Sequence, residues 1–266
     1  MDLSNLEAIT RLMISEECVL SAVISVHNEE QQLADCLQRL SFADEIVVLF
    51  DNCTDGSKVI AARYTDQLIE GDWAFEGDRR NVGIQACNGQ WIFEIDADER
   101  VPEALAVEIC EVIRTSDADW HGIPVDNYIG DRLVRYGWGA SFGKSQYPGL
   151  FRKGSKIWGR QRVHPSLSFS GTQGFTLKNR IDHYVDRNIS DMIRRLDHYS
   201  TARALDIRQY RDGGSYARNL RRIFSRFWKC YITRKGYKEG GYGFLIALFA
   251  GLYPILSYFK ATLEDS

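Results

Sequence analysis

The chain has 266 residues, 44% of them hydrophobic and 26% charged. That composition excludes a disordered chain and a polytopic membrane protein, and the length allows one large domain or one domain with a helical appendage. The net charge of −3 conceals an asymmetry: residues 1–150 carry 27 Asp and Glu against 11 Lys and Arg, whereas residues 151–266 carry 9 against 22.

A basic second half predicts an anionic partner, unless the two halves simply pair with each other. Six cysteines (Cys18, Cys36, Cys53, Cys87, Cys110 and Cys230) are dispersed with no close pair. This argues against a zinc knuckle or a disulfide framework and fits small buried residues of a reducing compartment. The first 18 residues are acidic and lack a long apolar run. No secretory signal is expected there, and the expected location is the cytoplasm.

In chain order, "CVLSAVISV" is short, apolar and rich in β-branched residues, as a strand buried on both faces requires. "NEEQQLADCLQRLS" follows with helical spacing at Leu33, Cys36, Leu37 and Leu40. "EIVVLF" is a second buried strand ending at Asp51, and "TDGSKVIAARY" turns into another helix. "EGDRRNVGIQACNG" reads as a helix closed by Gly89, and "QWIFEI" as the next strand. "PEALAVEICEVIRTS" opens with Pro102 at a helix start. The alternation predicts an α/β fold, a mostly parallel sheet flanked by helices. Beyond Trp120 the pattern becomes one of short strands and turns, and a helical tail begins near Ser190, whose hydroxyl is the expected cap.

Three predicted strands end in polar clusters: "HNEE", "DNCTDGS" and "DADE". Ligands of such sheets bind outside the carboxyl ends of the strands. Asp96 and Asp98 are two residues apart and in extended backbone point the same way. Two neighbouring carboxylates repel, and burying them unpaired is costly. A divalent cation bridging them to an anionic ligand removes both problems, and Mg²⁺ or Mn²⁺ commonly keeps phosphate oxygens in its shell.

Taken together, "VISVHNEE", "LFDNCTDGS", "GDRRNVG" and "FEIDADERV" resemble, in order and spacing, the family 2 inverting glycosyltransferases, and more closely their lipopolysaccharide-core glucosyltransferase branch. Leu150-Phe151-Arg152, Val163-His164 and His183-Tyr184 match that branch's later motifs, so the resemblance covers residues 18–200. It implies the GT-A nucleotide-diphospho-sugar transferase fold over residues 18–189, with a helical C-terminal segment over 190–266. It also implies a nucleotide-sugar donor, UDP-linked, with Mg²⁺ or Mn²⁺ as cofactor. Asp98 is then the metal ligand, with Asp96 beside it toward the metal shell or the ribose. Asp51 accepts a hydrogen bond from the base, and Arg80 contacts the nucleotide or its diphosphate. Ser25, His27, Asn28 and Glu29 frame base and ribose. Glu94 and Glu99 are expected to be structural or solvated.

An inverting transfer needs a base for the acceptor hydroxyl. The branch carries Glu after its "VH", but here Pro165 stands there and cannot serve. His164 and Asp126 are the remaining candidates, since a histidine pKa near ~6.5 suits a base at neutral pH.

Residues 217–238 hold eight Lys or Arg interleaved with aromatics, and Gly240–Phe259 carries no charge. That length matches the ~20 residues of a membrane span. Gly241, Gly243, Gly251 and Pro254 interrupt it, so association with the cytoplasmic membrane surface is the favoured expectation, beside a span and plain packing. A membrane-held domain fits a lipid-linked glycan acceptor such as lipopolysaccharide core. No motif supports nucleic-acid binding. The competing readings are a polyprenyl-phosphate glycosyltransferase and a non-catalytic, membrane-associated nucleotide-sugar-binding protein.

Overall fold

The structure, a computed structural model, describes residues 19–139, 143–162 and 165–264. Its first half is the expected parallel sheet. Strands β1 (Leu20–Val26), β2 (Glu45–Asp51), β3 (Leu68–Gly71) and β4 (Trp91–Asp96) lie in the order β3-β2-β1-β4, all parallel. Alternate residues of β1 serve two cores, as the two-residue period of a strand dictates. Ala22, Ile24 and Val26 pack on one face, while Val23 joins Val47, Leu49 and Ile92 on the other. Helices α1 (Leu33–Gln38), α2 (Ser57–Ala61) and α3 (Glu76–Ala86) connect these strands.

The second half doubles back. After the two-residue β5 (Glu99–Arg100) and helix α4 (Glu103–Thr115) come β6 (Trp120–Ile129), β7 (Arg132–Val134), β8 (Gln146–Arg152), β9 (Lys156–Trp158), β10 (Leu167–Phe169), β11 (Gln173–Thr176) and β12 (Ile181–Asp186). The sheet continues β4-β8-β6-β12-β5, with β8 antiparallel to both neighbours and β12 parallel to β6. One consequence matters for the site. β5 returns against β12 immediately after the "DADE" turn, pairing Glu99 with His183. The chain is thereby folded so that Asp98 meets β12.

The C-terminal segment consists of α5 (Ile189–Tyr210), α6 (Tyr216–Trp228), a π-turn at Lys229–Thr233, a 3-10 turn at Gly236–Glu239 and α7 (Gly241–Leu263). Its core is shared with the sheet: Ile129, Val134 and Trp138 pack with Met192 and Leu196 of α5 and Ile246, Phe249 and Tyr253 of α7.

Three details depart from the sequence reading. Helix α3 stops at Ala86 with Cys87 extended, so Gly89 does not close it. A Cβ on Gly89 would lie 2.7 Å from the Ser21 nitrogen, and glycine serves there to let two backbones approach. The α5 cap is Asn188, which accepts from the Asp191 N–H at 3.0 Å, rather than Ser190. β3 is short and only half buried, and it carries no pattern that the sequence reading could use.

Candidate active site

The carboxyl ends of β1, β2 and β4 open into a cleft of about 730 Å³. Its far wall is β12 and α5. The loops after β1 and β2 are stitched together at its rim. Asn28 takes a left-handed backbone (φ 56°), which asparagine tolerates, and its side-chain oxygen accepts from the Thr54 N–H at 2.8 Å. Glu30 accepts from the Gly56 N–H, and the Glu29 N–H donates to Ser57. Ser25, His27 and Glu29 border the cleft. Asn28 does not border it, because its carboxamide is engaged in holding the loop.

Asp51, at the end of β2, accepts from Arg79 at 2.8 Å and, more weakly, from the Trp73 N–H at 3.4 Å. The two arginines of "RRN" therefore divide their tasks. Arg79 reaches the rim carboxylate. Arg80 lies deeper, binding Glu76, Glu94 and Asp96 at 2.8–2.9 Å and stacking on Trp158. Burial disfavours its charge, but Asp96, Glu76 and Glu94 overcome this and raise its pKa. Arg80 lines the cleft, but three carboxylates already occupy its guanidinium, so its first role is to orient Asp96.

Beneath Asp96 lies an ion network. Glu94 is paired with the fully buried Lys156 at 2.6 Å as well as with Arg80. Glu99 is fully buried, 2.7 Å from Lys144 and within 3.3 Å of the Tyr147 hydroxyl. Lys144 also reaches Asp96 at 3.2 Å. Burial acts to raise the Asp96 pKa, but Arg80, Lys144 and His183 outweigh it and hold the carboxyl well below the usual range. Burial pushes Glu99 upward despite Lys144. Glu94 and Glu99 are thus both engaged by cations rather than solvated.

Asp98 differs from its neighbours. One of its oxygens is buried without a hydrogen-bond partner. The other lies 3.2 Å from His183 Nε2. The orientation of His183 is itself fixed: Asn127 donates its amide to the Lys144 carbonyl at 2.9 Å, which turns its oxygen toward His183 Nδ1 at 2.8 Å. Nδ1 must then carry the proton, and in a neutral ring the Nε2 lone pair faces Asp98. A lone pair and a carboxylate 3.2 Å apart, with an orphaned oxygen beside them, fit a shared divalent cation. Among the described residues no group of three or more His, Cys, Asp or Glu side chains could hold a metal. Two protein ligands suit Mg²⁺ or Mn²⁺ only if ligand oxygens complete the shell, which is how these ions bind diphosphates.

The two base candidates fare differently. Asp126 is turned away from the cleft. On β6 its neighbour Asn127 faces His183, so Asp126 faces the opposite side, where it pairs with Arg180 at 2.9 Å and Arg135 at 3.3 Å. A carboxylate held there cannot reach a substrate in the cleft. His164 lies outside the described residues. The α5 wall contributes Arg195, His198 and Tyr199. Arg195 is held by a two-point ion pair with Asp186, at 2.7 and 3.1 Å.

Sequence reasoning passed over Lys144, Arg79 and Asn127, and met His183 only as part of a matching motif. His183 lies in the "HY" pair and could have been raised by its match; Lys144, in "SFGKSQ", offers no comparable signal.

The family model of glycosyl transferase family 2 matches residues 21–169. The chain belongs to that family, and it is a glycosyltransferase. It is similar to the lipopolysaccharide core biosynthesis glycosyltransferase LpsC of Rhizobium meliloti, 25% identical over 257 residues, covering 91% of each chain. An uncharacterized glycosyltransferase of Rickettsia felis is 21% identical, covering 85% of this chain and 83% of its own length. Among solved structures, S. aureus TarS 1-349 in complex with UDP aligns with a TM-score of 0.48 and 13% identity, covering 91% of this chain and 90% of that one.

Proposed function

We propose that the protein transfers a hexose, with inversion, from a nucleotide-diphosphate donor, UDP-linked, to a lipid-linked glycan at the cytoplasmic face of a membrane. The observation that carries this reading is the meeting of Asp98 and His183 beside the cation-saturated Asp96 at the strand ends. Similarity to a lipopolysaccharide core enzyme supports the acceptor class.

Breaking the sugar–phosphate bond leaves negative charge on the departing diphosphate. Asp98 and His183 would hold a divalent ion, which when bound would supply positive charge to that leaving group. Asp96, fixed by Arg80 and Lys144, stays ionised next to it. Lys144 and Arg79, whose partners lie at the cleft, are placed to redistribute toward phosphate oxygens. Asp51 accepts from the base, with Arg79 and the Trp73 N–H keeping its carboxylate oriented. Ser25, His27 and Glu29 border the base and ribose. His164 takes the proton of the attacking hydroxyl.

Pro165 favours one second reading. Without the carboxylate at that position, an acceptor that is already an anion, such as a polyprenyl phosphate, needs no base.

The test is metal-dependent binding and slow hydrolysis of a panel of nucleotide sugars by the intact chain, Asp98→Ala, His183→Ala and His164→Ala. Hydrolysis that requires Mn²⁺ or Mg²⁺ and vanishes in the first two variants supports the reading and names the donor. Binding of no nucleotide sugar removes it. Transfer to a phosphate acceptor that survives His164→Ala selects the second reading.

A further inference from the structure

Helix α7 is the one helix among the described residues long and apolar enough to cross a membrane, and more than half of its most apolar stretch is buried inside the protein. It lies between α5 and α6. Its Gly251 lets the α6 backbone approach so closely that a Cβ there would lie 2.7 Å from the Ile223 carbonyl oxygen. Lys260 of α7 binds Asp197 of α5 at 2.6 Å, and Arg208 of α5 caps carbonyls at the end of α7. An α7 engaged this way on both sides serves as the centre of a helical bundle.

Helix α6 is different. Its residues Asn219 and Ile223 face the protein, whereas Leu220, Phe224 and Trp228, one turn apart, are 40%, 71% and 63% exposed. Residues four apart share one face of a helix, so this is a continuous apolar stripe. It extends onto α7, because Phe227 meets the half-exposed Phe244 edge-on at 5.6 Å. Arg218 and Arg221 are exposed along the same helix, and Lys229 just past its end. Over residues 213–263 the chain carries nine Lys or Arg and a single acidic residue, Glu239, which is buried. A protein partner would need a matching apolar groove and acid rim. An anionic lipid surface supplies both at once: headgroup charge for the arginines and acyl chains for the ring stripe.

We infer that α6 docks in the plane of an anionic lipid surface through Leu220, Phe224 and Trp228, with Phe244 beside them, while α7 stays folded within the protein. This rests on the membrane-surface reading proposed above and assigns it to a particular face. The docking face is firmly attached to the cleft. Glu239 accepts from the Arg135 and Tyr136 N–H groups at 2.9 and 3.0 Å, on the segment leading toward Lys144, and α5 carries the cleft's far wall while packing on α7.

The experiment is flotation of the full chain with vesicles of phosphatidylcholine alone or mixed with phosphatidylglycerol. The parent, Phe224→Ser/Trp228→Ser and Arg221→Glu/Lys229→Glu are compared, with donor hydrolysis in vesicle-free solution and circular dichroism measured in parallel. The expected result is salt-sensitive binding to the anionic vesicles. It falls at least about tenfold in each double variant, because apolar insertion and headgroup attraction both contribute. Hydrolysis and dichroism stay at parental level. Absence of parental binding, equal binding to neutral vesicles, or binding unchanged in Phe224→Ser/Trp228→Ser overturns the inference. So does a parental dimer that this variant converts to monomer, since the stripe is then a contact between copies. Binding without donor hydrolysis by the parent sinks the proposed function and leaves the docking face standing; hydrolysis without binding does the reverse.

Discussion

The floor of the cleft and the outer face of α6 treat charge in opposite ways. Under the cleft, Glu94, Asp96 and Glu99 each meet a cation within 3.2 Å, and Arg80, Lys144 and Lys156 are all engaged by these carboxylates. On α6 Arg218 and Arg221 face solvent and make no ion pair among the described residues, and apolar rings lie among them. Buried charge is tolerable only when matched, whereas surface charge can stay unmatched and wait for a partner. The first arrangement fixes geometry; the second leaves charge and apolar rings open to solvent. Asp98 stands between the two cases, as a partly buried carboxylate with one oxygen left unmatched.

Four substitutions or conditions break that comparison, from the largest effect down. Asp98→Ala should lower metal-dependent donor hydrolysis by about 10³-fold, because charge stabilisation at a leaving group is worth that much, while the fold persists. Hydrolysis assays with and without Mn²⁺ check it; a variant retaining parental metal-dependent rates would show that Asp98 is not a ligand. Lys156→Met should destabilise the protein by about 3–5 kcal/mol, because it leaves Glu94 buried with fewer cations. Urea unfolding measures this, and a loss below about 1 kcal/mol would mean that Glu94 is protonated or solvated.

The third test uses pH. Lys156 and Arg80 overcome burial and lower the Glu94 pKa, and Asp96 is lowered too. A depressed carboxylate contributes stability that is present above its unfolded pKa of about 4 and is lost as pH falls through the folded value. Thermal unfolding should therefore show Tm falling below about pH 4. The gap between the parent and Lys156→Met should narrow there, because the variant has less Glu94-linked stability to lose. A gap that widens on acidification contradicts the pairing. The smallest effect belongs to the surface: Phe224→Ser/Trp228→Ser should change unfolding free energy by no more than about 0.5 kcal/mol per site, since these rings touch little. A larger loss would mean that the stripe is core.

The parallel half of the fold was legible because its strands are apolar on both faces and their polar ends stand out, as in "LFDN" and "EIDADE". The second half was less so. A ten-residue β6 interrupted by Pro124, and β8 running against its neighbours, have no simple period. The site followed the same division. Asp51 and Asp96 end their own strands, Asp98 lies in the turn just after, and all three announce themselves locally. The placing of Lys144, Asn127 and His183 depends on sheet order, with β5 returning to β12 after an excursion that no local pattern records. Asp126 was misplaced for the simplest reason. Which face a strand residue takes depends on register, and one step along β6 separates it from Asn127. The charge imbalance of the tail was legible; that α7 is enclosed by its neighbours was not, because composition is the same for a core helix and a span.

The bond between Glu239 and the backbone of Arg135 and Tyr136 joins positions about a hundred residues apart. Synthesis runs from the N-terminus, and the parallel strands can pair as they emerge. The segment leading to Lys144 gains its latch only when residue 239 has left the ribosome. A nascent chain can thus pair the strands that end at Asp51 and Asp96 long before the segment leading to Lys144 is fastened. The order of manufacture therefore leaves the cleft without one of its fastenings until the C-terminal helices are being made.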